Sequence, residues 1–326
     1  MEYRTVAQLD DAVVSWLADL PRDIDIVAGI PRSGLLVANL LALHLNVPMT
    51  DVAGLVEGRV IASGARFKGS DPRQFLSRPR HVLVVDDSVC SGSAMRKVRA
   101  QLEAAGLPHR VSYAAVYMAP EARLDGHVDL YREVVEMPRV FEWNLLHGTV
   151  LANSCMDIDG VLCLDPTDEE NDDGARYQRF LRDTPALLLP SAPVGWLVTS
   201  RLEKYRAQTE EWLKEHRVQY GELRMMQYPD MAARRAARAY ARFKTDIYVE
   251  TAAWLFIESD AALSAQIAQL SGRSVFCTAT REMLQPGDST SPTRRAPPPQ
   301  EPPLGAALRA TARAMRLRLR GYPRRG

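Results

Sequence analysis

The sequence predicts an α/β protein: two parallel-sheet α/β domains followed by a disordered basic C-terminal tail. Three observations carry this. Short apolar runs of strand length alternate with helix-length segments over residues 20–120, and the alternation begins again near residue 151. A length of 326 residues fits two domains at about 150 residues each. From Gln285 onward the composition shifts to proline and arginine. The resulting division is 1–150, 151–282 and a tail over 283–326, with no linker between the first two.

In the first half, residues 6–17 carry the spacing of an amphipathic helix. IDIVAGI, 24–30, reads as a buried strand that runs into a Pro-Arg-Ser-Gly turn. An apolar helix over 35–45 follows. HVLVV, 81–85, is a second buried strand, ended by two aspartates and a turn of small residues. Residues 94–105 are helical and 111–117 form a third strand. Residues 57–79 are polar, with two glycines and two prolines beyond Gly58, and are long for a connection inside a domain. In the second half, strands are predicted over 154–158, 195–198, 254–257 and 275–278. Helices are predicted over 204–215 and 262–270, and an acidic insert, DPTDEENDDG, fills 165–174.

Hydrophobic residues make up 46% and charged residues 25%, which excludes a wholly disordered chain. The net charge of +1 hides an asymmetry. The tail holds nine arginines against Asp288 and Glu301, a local +7 that leaves −6 for the rest. The body is therefore mildly acidic and no nucleic-acid partner is expected. None of the four cysteines forms a CxxC pair, so reduced, cytoplasmic thiols are expected. The start, MEYRTVAQLDDAVVSWL, lacks the charge pattern of a signal peptide. The longest apolar stretch, 34–47, is too short for a membrane span. In the tail, Arg309, Arg313, Arg316 and Arg320 share one helical face, beside a stripe of Leu308, Ala312, Met315 and Leu319. Two readings stand: a solubilising disordered tail, or a basic helix making peripheral contact with an anionic membrane surface.

The segment after HVLVV is Asp86-Asp87-Ser88-Val89-Cys90-Ser91-Gly92-Ser93-Ala94. Unpaired backbone N–H groups at a helix N-terminus suit a phosphate. Two carboxylates at the end of a strand suit sugar hydroxyls. The plain alternative is that the acids end a strand and Ser91 caps a helix. The motif resembles the phosphoribosyl pyrophosphate (PRPP) loop of type I phosphoribosyltransferases, with Ala94 departing from a usual hydroxyl residue. The resemblance implies that Asp86 and Asp87 hold ribose hydroxyls and that Cys90, Ser91, Gly92 and Ser93 cradle the 5-phosphate. Ala28-Gly29-Ile30-Pro31-Arg32-Ser33-Gly34 falls where this family places its pyrophosphate loop, with Arg32 and Ser33 as ligands. Residues 57–79 match its mobile loop, with Arg66, Lys68 and Arg73 as candidates for the leaving pyrophosphate. Phe141, Glu142, Trp143, Asn144 and His147 are candidates to meet the acceptor.

In the second half, Asp157-Ile158-Asp159-Gly160 follows an apolar run. Two carboxylates so placed suit Mg²⁺ and a phosphate, and a calcium loop or plain turn is the alternative. The segment resembles motif I of the haloacid dehalogenase (HAD) superfamily of phosphatases. That likeness implies Asp157 as nucleophile and Asp159 as general acid and base. The remaining motifs follow in order: Thr199 in WLVTSR, Lys244 in ARFK, and Glu258 with Asp260 in FIESD. Thr199 and Lys244 would act on the phosphate and its nucleophile. Asp157, Asp159, Glu258 and Asp260 would hold Mg²⁺. A solvated loop is the default reading of the acidic insert; it also lies where this superfamily places its flap, in which case Asn171, Asp172 or Tyr177 would reach a sugar hydroxyl.

The order of the two halves resembles a family of fused phosphoribosyltransferase–phosphatases, HAD-like and Rossmannoid in the second domain. The implied function is transfer of 5-phosphoribosyl from PRPP to an acceptor, then removal of the 5-phosphate. A sugar or lipid-linked glycan acceptor is the leading reading, because no base-binding signature is recognised. Nucleobase salvage with an attached nucleotidase, and a non-catalytic PRPP-binding regulator, are the alternatives.

Overall fold

The computed structural model describes residues 1–61, 75–124 and 126–287. Arg66, Lys68, Arg73 and the arginine-bearing part of the tail lie outside the described residues. The chain divides into two compact units. The first is Met1–Asn153 with Pro190–Pro193, and the second comprises Ser154–Leu189 and the chain from Val194 onward. Among the described residues, no helix is long and apolar enough to cross a membrane.

The first unit holds a five-stranded parallel sheet in the order β3-β2-β4-β5-β6. Its strands are β2 (Ile26–Gly29), β3 (Met49–Asp51), β4 (His81–Val89), β5 (Arg110–Met118) and β6 (Leu130–Val134). Successive residues of a strand face opposite sides of the sheet. Leu83 and Val85 of β4 meet Leu9, Val13 and Trp16 of α1 (Val6–Trp16) and Val37 and Leu41 of α2 (Gly34–Leu45). Val82 and Val84 meet Val52 and Leu55 of α3 (Val52–Val56) and Met95, Val98 and Leu102 of α4 (Ser93–Ala105). Helices thus cover both faces. A capping box starts α1: the Gln8 N–H donates to the Thr5 hydroxyl, and the Thr5 N–H donates to the Gln8 side chain. A separate parallel pair joins β1 (Glu2–Arg4) to β7 (Arg139–Phe141).

Strand β4 runs four residues past the predicted end and takes in Asp86, Asp87, Ser88 and Val89. Pairing with β5 overrides the poor strand preference of acidic residues: Asp86 sits opposite Ala115 and Ser88 opposite Tyr117. The two acids therefore lie on a rigid strand and not in the turn after it.

The second unit holds a six-stranded sheet in the order β10-β9-β8-β11-β12-β13. These are β8 (Ser154–Met156), β9 (Val194–Leu202), β10 (Tyr220–Met226), β11 (Leu255–Glu258), β12 (Val275–Cys277) and β13 (Glu282–Leu284). All pairs are parallel except β12–β13, so this sheet is mixed at one edge and not wholly parallel. The helices are α5 (Ala175–Asp183), α6 (Arg206–Glu215), α7 (Met231–Ala237), α8 (Tyr240–Glu250) and α9 (Ala261–Ser271). Cys155, Val198, Phe256 and Val275 on the strands pack with Ile247 and Tyr248 of α8 and Ile267 and Ala268 of α9. Strand β8 ends at Met156, two residues before the predicted end, which leaves Asp157 at the strand's C-terminal edge.

Candidate functional site

In the first unit, β2 ends at Gly29 and the chain turns through Pro31, Arg32 and Ser33 into α2. The Pro31–Arg32 peptide is cis. Gly34 lies against β4: a Cβ there would meet the Val85 carbonyl at 2.7 Å, so only glycine lets this turn approach the strand that carries the acids. The approach joins the turn before α2 to the acid-bearing end of β4. Ser33 Oγ donates to Asp87 Oδ1 at 2.7 Å, and Trp143 Nε1 donates to Asp87 Oδ2 at 2.8 Å. Arg32 Nη2 donates to Asn144 Oδ1 at 2.8 Å. Trp143 in turn stacks on Phe141, centroids 5.0 Å apart, and Phe141 on Tyr117 at 5.3 Å. The Phe141–Asn144 tract, expected to meet the acceptor, thus also holds Arg32 and Asp87.

Asp86 and Asp87 are both buried, and the Asp87 N–H donates to Asp86 Oδ1 at 2.9 Å. Burial, and then the neighbouring Asp87 carboxylate, push the Asp86 carboxyl up to about 8. A carboxyl raised in the folded state contributes stability that is present in full below its unfolded value near 4. That stability is lost as pH rises toward the folded value. Each raised unit is worth about 1.4 kcal/mol. Asp86→Asn is therefore expected to raise the melting temperature of the first unit at pH 8.5. The gap should shrink as pH falls from 8 to 4, and thermal scans across that range check it.

The loop after β4 places Cys90, Ser91 and Ser93 at the surface, with Gly92 buried at the N-cap of α4. No side chain caps this helix, so its first N–H groups have no side-chain acceptor at the N-cap. Beneath the loop the buried Arg139 donates from Nη2 to the Val89 carbonyl at 2.9 Å. Arg139 was not singled out from the sequence; its role depends on a partner 50 residues away.

In the second unit, Lys244 is 1% exposed and lies 2.6 Å from both Asp157 Oδ2 and Glu258 Oε2. Helix α8 supplies the lysine, the edge of β8 supplies Asp157 and β11 supplies Glu258. The two carboxylates hold the Lys244 ammonium above its ordinary range against the opposing effect of burial. Burial pushes Asp157 up, with Lys244 opposing and Glu258 adding to the rise. Lys244→Met strands two buried carboxylates without their cation. It is expected to cost about 3–5 kcal/mol of stability, read from the denaturant midpoint of the second unit.

Asp159 is gripped by a residue not chosen from the sequence. Arg201, fully buried, donates from Nη2 to Asp159 Oδ1 at 2.7 Å and from Nε to Oδ2 at 3.1 Å. Its signal was present in the VTSR tract. Thr199 is buried, and its hydroxyl accepts the Arg201 N–H; Ser200, next to it, lines the cavity instead. Asp260 caps α9 through Oδ1 to the Leu263 N–H at 2.6 Å. Gly160 has φ +74°, and a Cβ there would run into Ser259, so the turn between the two aspartates and β11 needs glycine.

These groups border a cavity of about 830 Å³ lined by Asp157, Asp159, Lys244, Glu258 and Asp260. Asn171 and Tyr177 also line it, as the flap reading expected, whereas Asp172 is not among the lining residues. Asp172 accepts the N–H groups of Gly174 and Tyr177 at the start of α5. Asp173 receives Lys204, Tyr205 and the Met231 N–H. The insert is therefore anchored and not a loose solvated loop. Asp165, on the cavity wall, is pushed up to about 6 by burial and then by Asp159. Cys155 and Cys163 are both buried, and burial pushes both thiols up; Cys163 Sγ accepts from Arg201 Nη2 at 3.3 Å and lies 3.4 Å from Asp159 Oδ1, beside the Asp159–Arg201 pair.

For Mg²⁺ the donor chemistry is right, since all candidates offer oxygen. Among the described residues, however, no three such side chains form a metal-holding group. The arrangement fits an ion held by one or two carboxylates, waters and substrate phosphate, and not an all-protein cage.

Residues 5–145 match the family model described as the phosphoribosyl transferase domain, so the first unit carries a domain of that class. Solved structures resemble part of the chain. A purine phosphoribosyltransferase from Pyrococcus horikoshii is 23% identical over 44% of this chain and 92% of its own, with a TM-score of 0.32. A xanthine-guanine-hypoxanthine phosphoribosyltransferase from Helicobacter pylori is 13% identical over 44% and 92%, TM-score 0.33. An orotate phosphoribosyltransferase from Aeropyrum pernix is 21% identical over 39% and 70%, TM-score 0.28. No curated protein matches the chain.

Proposed function

We propose that the chain is a bifunctional enzyme that transfers 5-phosphoribosyl from PRPP to an acceptor and then removes the 5-phosphate from the product. The observation that supports transfer most is the meeting of the turn before α2 with strand β4, 54 residues apart, at one carboxylate, where Ser33 donates to Asp87. In this reading Asp86 and Asp87 accept hydrogen bonds from the ribose hydroxyls. The N–H groups of Cys90, Ser91, Gly92 and Ser93 at the start of α4 hold the 5-phosphate. Arg32, paired with Asn144, turns to the pyrophosphate. The bond from the anomeric carbon to pyrophosphate breaks, the acceptor atom bonds that carbon, and the acceptor's proton leaves. Catalysis is mainly positioning and charge stabilisation. Mg²⁺, when bound to PRPP oxygens, would neutralise charge on the leaving pyrophosphate.

For the second step, Asp157 attacks phosphorus and the ester P–O bond breaks. The departing alcohol oxygen takes a proton from Asp159, and water then hydrolyses the aspartyl phosphate. Asp157 and Glu258 would hold Mg²⁺, which supplies charge neutralisation of the phosphoryl group. Lys244 keeps Asp157 oriented. Asp159 must swing away from Arg201 before it handles a proton, because both its oxygens face the guanidinium.

The acceptor in the leading reading is a sugar or lipid-linked glycan. A lipid-linked acceptor would place the enzyme at the cytoplasmic face of a membrane, with the tail arginines as its anchor. The second reading is a nucleobase acceptor with an attached nucleotidase. The partly buried Trp143 beside Asp87 favours it, since an indole face stacks on a planar base. Incubation with PRPP, Mg²⁺ and a panel of glycans and nucleobases, followed by mass spectrometry, separates them. Consumption with nucleobases alone overturns the glycan reading; tight PRPP binding without any turnover supports a regulator.

A further inference from the structure

The cavity of the second unit has two basic lining residues, Lys244 and Arg234. Lys244 is fully engaged by Asp157 and Glu258. Arg201, behind the wall, is engaged by Asp159. Arg234, on α7, is different. It is only 8% exposed, and its Nη1 donates to the Ser200 carbonyl at 2.6 Å. Its Nε is buried with no hydrogen-bond partner. The guanidinium lies 5.8 Å from the Tyr240 ring centroid, and no ion pair joins it to a carboxylate among the described residues. A buried cation without a counter-ion is costly unless something anionic completes it.

We propose that Arg234 is the phosphate-recognition residue of this cavity, gripping the phosphoryl oxygens of a phosphomonoester presented to Asp157. The proposal rests on the hydrolytic reading of Asp157. The reacting group is a dianion entering a cavity that already carries five carboxylates: Asp157, Asp159, Asp165, Glu258 and Asp260. Apart from a divalent metal, Arg234 is the cation among the lining residues that is not already paired with one of them. Its planar fork matches phosphate oxygens. The Ser200 carbonyl, from a residue that also lines the cavity, fixes the fork's position. Sequence reading passed over Arg234 because it sits in an arginine- and alanine-rich run, AARRAARAYARFK, where each cation reads as a solvated helix charge.

The test uses the full-length protein with Mg²⁺. Calorimetry measures inorganic phosphate binding, and 4-nitrophenyl phosphate reports hydrolysis. Arg234→Gln is expected to weaken phosphate binding about 10- to 100-fold and to raise KM in parallel, as loss of a charge-assisted hydrogen bond does. Arg234→Lys recovers part of the affinity, and it decides the matter where Arg234→Gln melts below the wild type. Asp157→Asn abolishes hydrolysis and still binds phosphate. If Arg234→Gln binds phosphate as the wild type does while hydrolysis continues with unchanged KM, the proposal fails and the reading of Asp157 stands. If phosphate binding depends on Arg234 but the wild type hydrolyses nothing, the reading of Asp157 fails and the proposal falls with it, Arg234 then holding phosphate without serving hydrolysis. If the wild type neither binds nor hydrolyses, both fall.

Discussion

Asp157→Asn stops phosphate release, by about 10³-fold or more, while pyrophosphate release continues, so a 5-phosphorylated product accumulates. Asparagine keeps the size of the side chain but cannot form the aspartyl phosphate. Lys244 retains Glu258 as a partner, so the fold survives the change. The proposed nucleophile, Asp157, follows β8 in the second unit, whereas the residues proposed for transfer lie on β4 and the turn before α2 in the first. Mass spectrometry of the product, with separate assays for pyrophosphate and phosphate, reads the outcome. Loss of pyrophosphate release in this variant would mean that the two activities are not independent.

The double variant Asp86→Asn, Asp87→Asn produces the opposite pattern. It removes the carboxylates proposed to hold the ribose and breaks the junction at which Ser33 and Trp143 converge. PRPP consumption is expected to fall by about 10²-fold or more, since several charge-assisted hydrogen bonds to the ribose go at once. A supplied 5-phosphorylated product is still hydrolysed. Retained PRPP turnover in the double variant would remove the two acids from the transfer site.

Much of this arrangement was legible in the sequence where chemistry is local. HVLVV followed by two aspartates gave a strand and its acids within a few residues. Asp157 and Glu258 each stand at the end of an apolar strand and Lys244 on the helix that precedes β11, so their places could be read one at a time. What escaped was set by distance along the chain. Trp143 meets Asp87 across 56 residues, and Arg201 meets Asp159 across 42. Nothing in local spacing announces either pairing. Strands β6 and β10 escaped because they lie at sheet edges, where LYREV and YGELRMM need only one buried face. The extension of β4 through Asp86 to Val89 escaped because its strand character comes from pairing with β5 and not from its own residues.

The most direct measurement is the product balance of the wild-type protein incubated with PRPP, Mg²⁺ and the acceptor panel. One pyrophosphate and one phosphate are expected per ribosylated product, and that product lacks the 5-phosphate. PRPP that stays intact with every acceptor, or a product that keeps its 5-phosphate in the wild type, would contradict that expectation.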